Sequence, residues 1–152
     1  MGSDTIAFAL MGFDAKGIDA DDIDALRLAE RNYNRLQQDT AFRGSTEFRN
    51  ATIQSVYAPI IGSIDCISSH QALDLADRKG LAEFAAYAAK IMCPKGCLSV
   101  GIRSTETQTF AKKVLCEVFE PDFDTFKMFK SRSSRTNLIY MLARRKDQEQ
   151  TP

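Results

Sequence analysis

An acidic residue placed where an apolar segment ends is the first candidate for chemistry in this sequence. Asp19 follows Lys16-Gly17-Ile18, and the residues from Asp21 onwards have the pattern of a helix. A carboxylate at the carboxyl end of a parallel strand lies on the edge of the sheet where ligands bind. At that edge it can accept hydrogen bonds from both hydroxyl groups of a diol. The spacing therefore predicts a ligand-binding role for Asp19.

A second polar group follows another apolar segment. Ser68, Ser69 and His70 come after Ile64-Asp65-Cys66-Ile67, and we expect a strand over residues 64–70 with these polar residues at its exit. By the same rule they are candidates for contacts with a reacting group. A polar loop with a solvated histidine is an alternative of equal weight. A serine hydrolase is a weaker alternative, because no G-x-S-x-G turn surrounds Ser68.

A third group combines cations with aromatic rings near the carboxyl end of the chain. Its members are Lys127, Lys130, Arg132, Arg135, Phe126, Phe129 and the serines 131, 133 and 134. Basic groups interleaved with aromatic rings can bind phosphates and stack on bases. A solvated hairpin is the favoured alternative for this segment.

The composition limits the class of protein. The 152 residues carry 20 basic and 20 acidic side chains, so binding to nucleic acid or to an anionic membrane would need a local patch. No segment approaches the roughly 18 consecutive apolar residues of a membrane span, and no signal-peptide pattern begins the chain. We expect a cytoplasmic protein that does not bind membranes, with one domain over residues 1–145 and a polar tail over residues 146–152.

The cysteines do not indicate a metal site. Cys66, Cys93, Cys97 and Cys116 show no paired CxxC spacing, and Cys93 and Cys97 are the one suggestive pair. Because a free cysteine behaves as a small hydrophobic residue, we expect all four to be buried and reduced. His70 is the only histidine, so a cluster of histidine ligands is excluded.

Hydrophobic periodicity supplies the elements that would position these groups. Strands are predicted over residues 15–19, 51–56, 64–70, 97–102 and 137–144, and helices over residues 21–38, 79–92 and 105–119. Residues 39–50 are polar and are predicted to be a loop. Residues 5–12 are apolar but too few for periodicity to separate a helix from a strand. Strands that alternate with helices imply an α/β fold with a parallel sheet.

Three of these segments resemble, in order, the characteristic segments of class I S-adenosylmethionine (SAM)-dependent methyltransferases. Residues 16–32 are similar to V-G-I-D-x-D-P-x-A-L-x-x-A-R-x-N, and residues 62–70 are similar to F-D-x-V-x-S-x-x-x-x-H. Residues 91–100 are similar to L-x-P-G-G-x-L-x-V. The resemblance covers roughly residues 3–103. It implies a Rossmann-like sheet flanked by helices, a helix over residues 3–12, and SAM as the cofactor.

The resemblance also implies two sets of site residues. Those that bind the cofactor are Gly2, Ser3, Asp19, Ala20, Tyr57, Ala58 and Ser68. Those on the side of the methyl acceptor are Ser69, His70, Arg132 and Arg135. Asp19 is implied to bind both ribose hydroxyls, and the turn at Tyr57 and Ala58 to form a wall beside the adenine. No residue is assigned to the chemical step, and no metal is implied.

The carboxyl end of the chain is similar to that of FtsJ-like RNA ribose 2′-O-methyltransferases. The similarity lies in Ser131-Arg132-Ser133-Ser134-Arg135 and in Tyr140-Met141-Leu142-Ala143. That subfamily uses a Lys-Asp-Lys-Glu tetrad, three of whose positions fall near His70, Gly101 and Leu138 here. The tetrad is therefore not reproduced, although a related RNA-binding surface fits the basic residues.

The beginning of the family pattern is missing from this sequence. The family's first strand ends in a D-x-G-x-G-x-G loop, and only Gly2-Ser3 matches the end of that loop. Because the family's first strand lies between the second and the fourth, its loss would leave two strand edges unpaired. Residues 4–11 as a strand, a segment of a partner, or direct pairing of the two halves would each fill the gap. We therefore expect an N-terminally abbreviated sheet that lacks or alters its first strand and glycine-rich loop.

The sequence leaves three functions open. The leading one is a SAM-dependent methyltransferase that acts by in-line displacement on an acceptor not identified further than RNA or a small molecule. The second is a non-catalytic methyltransferase-like module that completes its sheet with a protein partner or a second copy. The third is an RNA-binding domain that uses the surface from Lys127 to Arg135. Because the glycine-rich loop is missing, whether the chain is an enzyme stays undecided.

Overall fold

The computed structural model describes residues 3–19, 21–39, 42–57, 61–130 and 138–147. Contacts within the chain group it into two compact units, Met1–Ala58 and Pro59–Pro152. The first unit contains α1 (Ser3–Leu10), β1 (Ala15–Asp19), α2 (Ile23–Asp39), β2 (Thr46–Asn50) and α3 (Ile53–Tyr57). The second contains β3 (Ile64–Asp74), α4 (Arg78–Ile91), β4 (Met92–Arg103), α5 (Gln108–Phe119), β5 (Phe123–Lys130) and β6 (Leu138–Arg145).

In the first unit, β1 and β2 form a two-stranded parallel sheet that packs against α2. The strands end together, because Ala15 lies opposite Thr46 and Asp19 lies opposite Asn50. α2 begins after Asp22, whose side chain accepts a hydrogen bond from the backbone N–H of Ala25 at 2.7 Å. Ala25, Ala29 and Tyr33 are buried along one face of the helix, each four residues from the next.

In the second unit, four strands lie in the order β3-β4-β6-β5. β3 and β4 are parallel, while β6 is antiparallel to both of its neighbours. Every second side chain of the central strands is buried, and these residues are Leu98, Val100, Ile102, Ile139, Met141 and Ala143. They form one core with the apolar faces of α4 and α5, including Leu81, Ala88, Val114 and Leu115. The alternation leaves the other face of this sheet to polar and half-exposed side chains.

Two predictions for residues 39–56 are wrong. β2 lies inside the predicted loop, and α3 occupies most of the predicted strand over residues 51–56. β2 looks like a loop in the sequence because Glu47 and Arg49 are charged. In the structure, the Glu47 carboxylate pairs with Arg49 and lies 3.4 Å from the Lys16 ammonium on β1, its partner in register. The helical turn of α3 is favoured by Thr52, whose hydroxyl accepts from the backbone N–H of Ser55 at 3.3 Å.

Other boundaries also differ from the prediction. β5 was not predicted, and β3 continues four residues beyond His70 to Asp74. The end of β6 is held in place after Arg145, because the backbone N–H of Lys146 donates to the Asp122 carbonyl at 3.0 Å. Residues 148–152 of the predicted polar tail lie outside the described residues. No helix in the described ranges is long and apolar enough to cross a membrane.

The structure excludes one of the three alternatives predicted for the place of the family's first strand. Residues 3–10 form the helix α1, as the family resemblance implies, so residues 4–11 do not supply a strand. Within the part of the chain that the structure describes, β1 pairs only with β2, and β3 pairs only with β4. One edge of β1 and one edge of β3 therefore have no strand neighbour there.

Candidate functional site

The carboxyl ends of β1 and β2 form a polar edge in the first unit. Asp19 Oδ1 accepts hydrogen bonds from the backbone N–H groups of Asp21 and Asp22, both at 2.9 Å. The Asn50 side-chain amide donates to the backbone carbonyl of Asp19 at 3.0 Å, and the Ala51 N–H donates to the same oxygen at 3.2 Å. These bonds fix the Asp19 carboxylate at the entrance to α2. No donor to its second oxygen, Oδ2, is recorded among residues 3–19, 21–39 and 42–57.

This edge suits a nucleoside better than a phosphate. Asp19, Asp21 and Asp22 place three carboxylates within four residues, and their negative charge repels a phosphate group. A diol carries two hydroxyl donors and no charge, so the acceptor Oδ2 can bind it without this repulsion. The Asn50 amide lies beside it and donates to the Asp19 carbonyl. We call Asp19 and Asn50 the nucleoside edge.

Asn50 was missed by the sequence analysis. The prediction placed the second strand of this unit at residues 51–56, which made Asn50 the end of a loop. The structure places it at the end of β2, directly opposite Asp19. The alternation of Thr46, Phe48 and Asn50 was the only sequence pattern that indicated a strand here. The charged residues between them, Glu47 and Arg49, obscured that pattern.

Most of the other predicted cofactor residues cannot be compared with this edge. Gly2, Ala20 and Ala58 lie outside the described residues, and the structure describes only the backbone of Ser3 and Tyr57. Ser3 is the first residue of α1, and Tyr57 is the last residue of α3. Their predicted roles, together with those of Asp19 and Ser68, stay predictions.

The predicted trio Ser68, Ser69 and His70 lies inside β3 rather than at its exit. Ser68 and His70 face the same side of the sheet as their register partners Ser99 and Gly101. Ser69 faces the other side, opposite Val100. The strand therefore divides the trio between two faces.

An ion pair that the sequence analysis missed occupies the carboxyl ends of β3 and β4. Asp74 and Arg103 are register partners, and the Arg103 Nε lies 3.9 Å from Asp74 Oδ2. Both side chains are about half exposed, so the pair contributes little to stability. The next residue, Ser104, is buried, and its hydroxyl accepts from the backbone N–H of Glu106 at 3.1 Å. This edge of the second unit thus presents one anion and one cation.

The predicted basic and aromatic segment is only partly described. Lys127 and Lys130 lie on β5, and the Lys127 ammonium lies 5.8 Å from the centre of the Phe129 ring. The Phe129 ring stacks on Tyr140 of β6 at 5.2 Å, with 16° between the ring planes. Arg132, Arg135 and the three serines lie outside the described residues, as does the side chain of Phe126.

The cysteines are less buried than predicted. Cys97 is exposed, while Cys66, Cys93 and Cys116 are half-buried, and all four are free thiols. Cys66 lies opposite Cys97 in the register of β3 and β4. Burial raises the pKa of the Cys66 thiol, and the charges of Cys97 and Asp65 raise that pKa further. No group of three metal-ligating side chains converges in the described ranges.

Comparisons with known proteins show the fold. No model of a protein family matches the sequence, and a search of the curated proteins finds no match. Among solved structures, a SAM-dependent methyltransferase from Methanosarcina mazei has a TM-score of 0.67 and 15% identity, over 93% of this chain and 85% of that one. A mutant 16S rRNA (adenine(1408)-N(1))-methyltransferase with cosubstrate SAM, from Catenulisporales acidiphilia, has a TM-score of 0.61 and 14% identity, over 95% and 91% of the two chains.

A third similar structure is the fibrillarin pre-rRNA processing protein of Methanococcus jannaschii. Its TM-score is 0.61 at 12% identity, and the match covers 88% of this chain and 55% of that one. At such identities a likeness shows the fold alone. The chain has the α/β fold of class I SAM-dependent methyltransferases, and the predicted Rossmann-like sheet flanked by helices is confirmed.

Proposed function

We propose that this chain is a SAM-dependent methyltransferase, and that the nucleoside edge holds the ribose of SAM. The observation that carries the proposal is the pairing of Asp19 with Asn50 at the carboxyl ends of two parallel strands. The fold supports it, since ligands of open α/β sheets bind at this end of the strands. One structure of the same fold contains SAM as cosubstrate.

The residues of this edge match the chemistry of the proposed cofactor. The nucleoside part of SAM has a ribose diol and no phosphate, and its sulfonium is a cation. Asp19 Oδ2 would accept from the diol, while the hydrogen bonds to Oδ1 hold the carboxylate in place. The carboxylates of Asp21 and Asp22 favour a cationic ligand over an anionic one.

In methyl transfer, the main contribution of the protein is to position the reactants. SAM, when bound, supplies an electrophilic methyl group that an acceptor atom can attack in line. The chain's residues would contribute by orienting the nucleoside and by excluding water from the acceptor side.

RNA is the acceptor class that we propose over a small molecule. Two of the similar structures are described as an rRNA methyltransferase and a pre-rRNA processing protein. Lys127 and Lys130 place cations on the second unit, where Phe129 and Tyr140 supply aromatic rings. Cations bind phosphates, and rings stack on unpaired bases.

Calorimetry with SAM tests the cofactor proposal. Asp19→Asn keeps an oxygen acceptor for the N–H groups of Asp21 and Asp22, but it replaces the second oxygen with a donor. Each hydrogen bond to a charged group contributes about 1.5–3 kcal/mol, so the loss of the two from the diol should weaken SAM binding by at least about 150-fold. Asp24→Asn is the matched control, because Asp24 is exposed and pairs with Arg27 on the helix surface. Equal affinities for the two variants would remove Asp19 from the site.

A non-catalytic module that completes its sheet with a second copy is the alternative candidate. The observation that favours it is the edge of β3, which has no strand neighbour in the described ranges. Light scattering distinguishes the two candidates, since this alternative predicts a dimer that does not require SAM. A monomer that binds SAM tightly would contradict it.

A further inference from the structure

A row of aromatic side chains crosses the second unit on the face opposite its helices. The order of the strands, β3-β4-β6-β5, places His70, Gly101, Tyr140 and Phe129 side by side in register. The rings of His70 and Tyr140 meet edge to face at 5.6 Å, and those of Tyr140 and Phe129 stack at 5.2 Å. We call His70, Tyr140 and Phe129 the aromatic row.

Gly101 allows the row to be continuous. It lies on β4 between His70 and Tyr140, and it has no side chain to separate them. A Cβ atom added there would lie 3.0 Å from Tyr140 Cε1 and 3.4 Å from His70 Cδ2. Tyr140 therefore covers the backbone of β4 and reaches the ring of His70.

The aromatic row lies on an exposed surface. His70 is exposed, Phe129 is 41% exposed, and the neighbouring Leu142 is 38% exposed. The buried apolar side chains of the same strands face the other way, toward α4 and α5. The rings of this row are therefore not needed to fill the core, and the two end rings, Phe129 and His70, keep exposed surface that a planar ligand can contact.

The charge beside the row suits a nucleic acid. The Lys127 ammonium lies 5.8 Å from the centre of the Phe129 ring. Arg144 lies on the same face but opposite Asp124, which offsets its charge. The Lys127 ammonium can bind a phosphate while the Phe129 ring stacks on the attached base. A protein partner of mixed polarity would gain less from this combination of flat rings and a lysine cation.

We propose that the aromatic row is a binding site for unpaired RNA bases, which stack on its exposed end rings, Phe129 and His70, while Lys127 holds a phosphate. Sheets of four strands can bind RNA in this way, with aromatic residues on the open face that stack on two or three bases. The row spans three spacings between strands, or about 14 Å, which is room for such a set. The inference rests on RNA as the proposed acceptor class and adds the site that recognises it.

Fluorescence anisotropy with a labelled 12-nucleotide single-stranded RNA tests the site in the absence of SAM. Phe129→Ala should weaken binding about 5- to 150-fold, which is the usual effect of removing a stacking ring. Phe129→Tyr keeps the ring and should bind like the parent chain. Phe129→Leu keeps an apolar side chain of similar volume and should lose affinity as the alanine variant does. Loss in all three variants, or in none, would overturn the proposal.

The chain offers a matched control. Phe110 on α5 is 43% exposed and has the Arg78 guanidinium 5.7 Å from its ring centre, yet it lies on an element that covers the opposite face. Phe110→Ala should leave RNA binding unchanged. Because the sequence has no tryptophan, Phe129→Trp and Phe110→Trp each add a single reporter, and RNA should quench only the first. Equal quenching of both would contradict a stacking site on this face.

Two further measurements test the site: the salt dependence of RNA affinity, and the affinities for duplex RNA and single-stranded DNA. Lys127→Ala should reduce the slope of log affinity against log salt by about 0.7, the value for one phosphate contact to a single strand. Duplex RNA should bind more weakly than single-stranded RNA, and tighter binding of duplex would overturn the role of unpaired bases. Tighter binding of single-stranded DNA of the same sequence would overturn RNA as the ligand. If RNA binds as described and SAM does not, the cofactor proposal fails alone; if only SAM binds, this inference fails alone.

Discussion

Asp19 has two roles that substitution can separate. Its Oδ1 holds the turn that leads into α2, and its Oδ2 is the proposed acceptor for a ribose. Asp19→Ala removes both oxygens and with them the two hydrogen bonds of this turn, so it should lower the free energy of unfolding by about 1–3 kcal/mol. Asp19→Asn keeps the oxygen that accepts in the turn and should change the free energy of unfolding by only about 0.3 kcal/mol. Affinity for SAM should fall in both variants to a similar degree.

Urea unfolding and calorimetry on the same preparations measure the two roles. The free energy of unfolding from urea should differ between Asp19→Ala and Asp19→Asn. The SAM affinity from calorimetry should be lower in both variants than in the parent chain. Asn50→Ala provides a further comparison, since it removes the donor to the Asp19 carbonyl while leaving the carboxylate intact. If SAM affinity follows stability across these variants, with Asp19→Asn binding normally, Asp19 serves the fold alone and the ribose assignment is refuted.

Two further predictions concern the sheet of the first unit. Gly17→Ala should lower the free energy of unfolding by about 1–3 kcal/mol, because the added Cβ would lie 2.7 Å from the Phe48 ring. Urea unfolding measures this loss, and the double variant Gly17→Ala/Phe48→Leu should recover part of it. The hydrogen bond from Arg49 lowers the pKa of Glu47, so the associated stability is present at neutral pH and is lost as the pH falls through that lowered pKa. Arg49→Ala should raise the Glu47 pKa in an NMR titration, and an unchanged midpoint would exclude Arg49 as the cause.

Elements with a strong apolar period could be predicted from the sequence. α2, α4 and β6 were found close to their observed positions, because each buries one regular set of side chains against the rest of its unit. β1 was also found, although its side chains are half-buried or exposed. β2 and β5 were missed for a common reason. Both lie at the edge of their sheets and carry charged residues, among them Glu47 on β2 and Lys127 on β5, which edge strands tolerate and which remove the apolar signal.

The residues of the candidate site also differ in how well their positions could be predicted from the sequence. Asp19 could be placed from sequence because its position depends on one local pattern, an apolar strand followed by a helix cap. Asn50 could not, because its importance comes from pairing with Asp19 across 31 residues of chain. His70 was placed at a strand exit because polar residues usually end a buried strand. β3 continues past it, since one face of this sheet is open and accepts polar side chains.

The affinity for SAM should itself report how much of the cofactor site the nucleoside edge provides. Two hydrogen bonds from a ribose to the Asp19 carboxylate contribute about 3–6 kcal/mol. A dissociation constant of 1 μM requires about 8 kcal/mol. The edge alone therefore predicts affinity weaker than micromolar. A nanomolar constant that survives Asp19→Asn would show that contacts elsewhere dominate, such as those predicted at Gly2 and at Tyr57 and Ala58. A submillimolar constant lost in that variant is the result that this edge, acting as the main contact, requires.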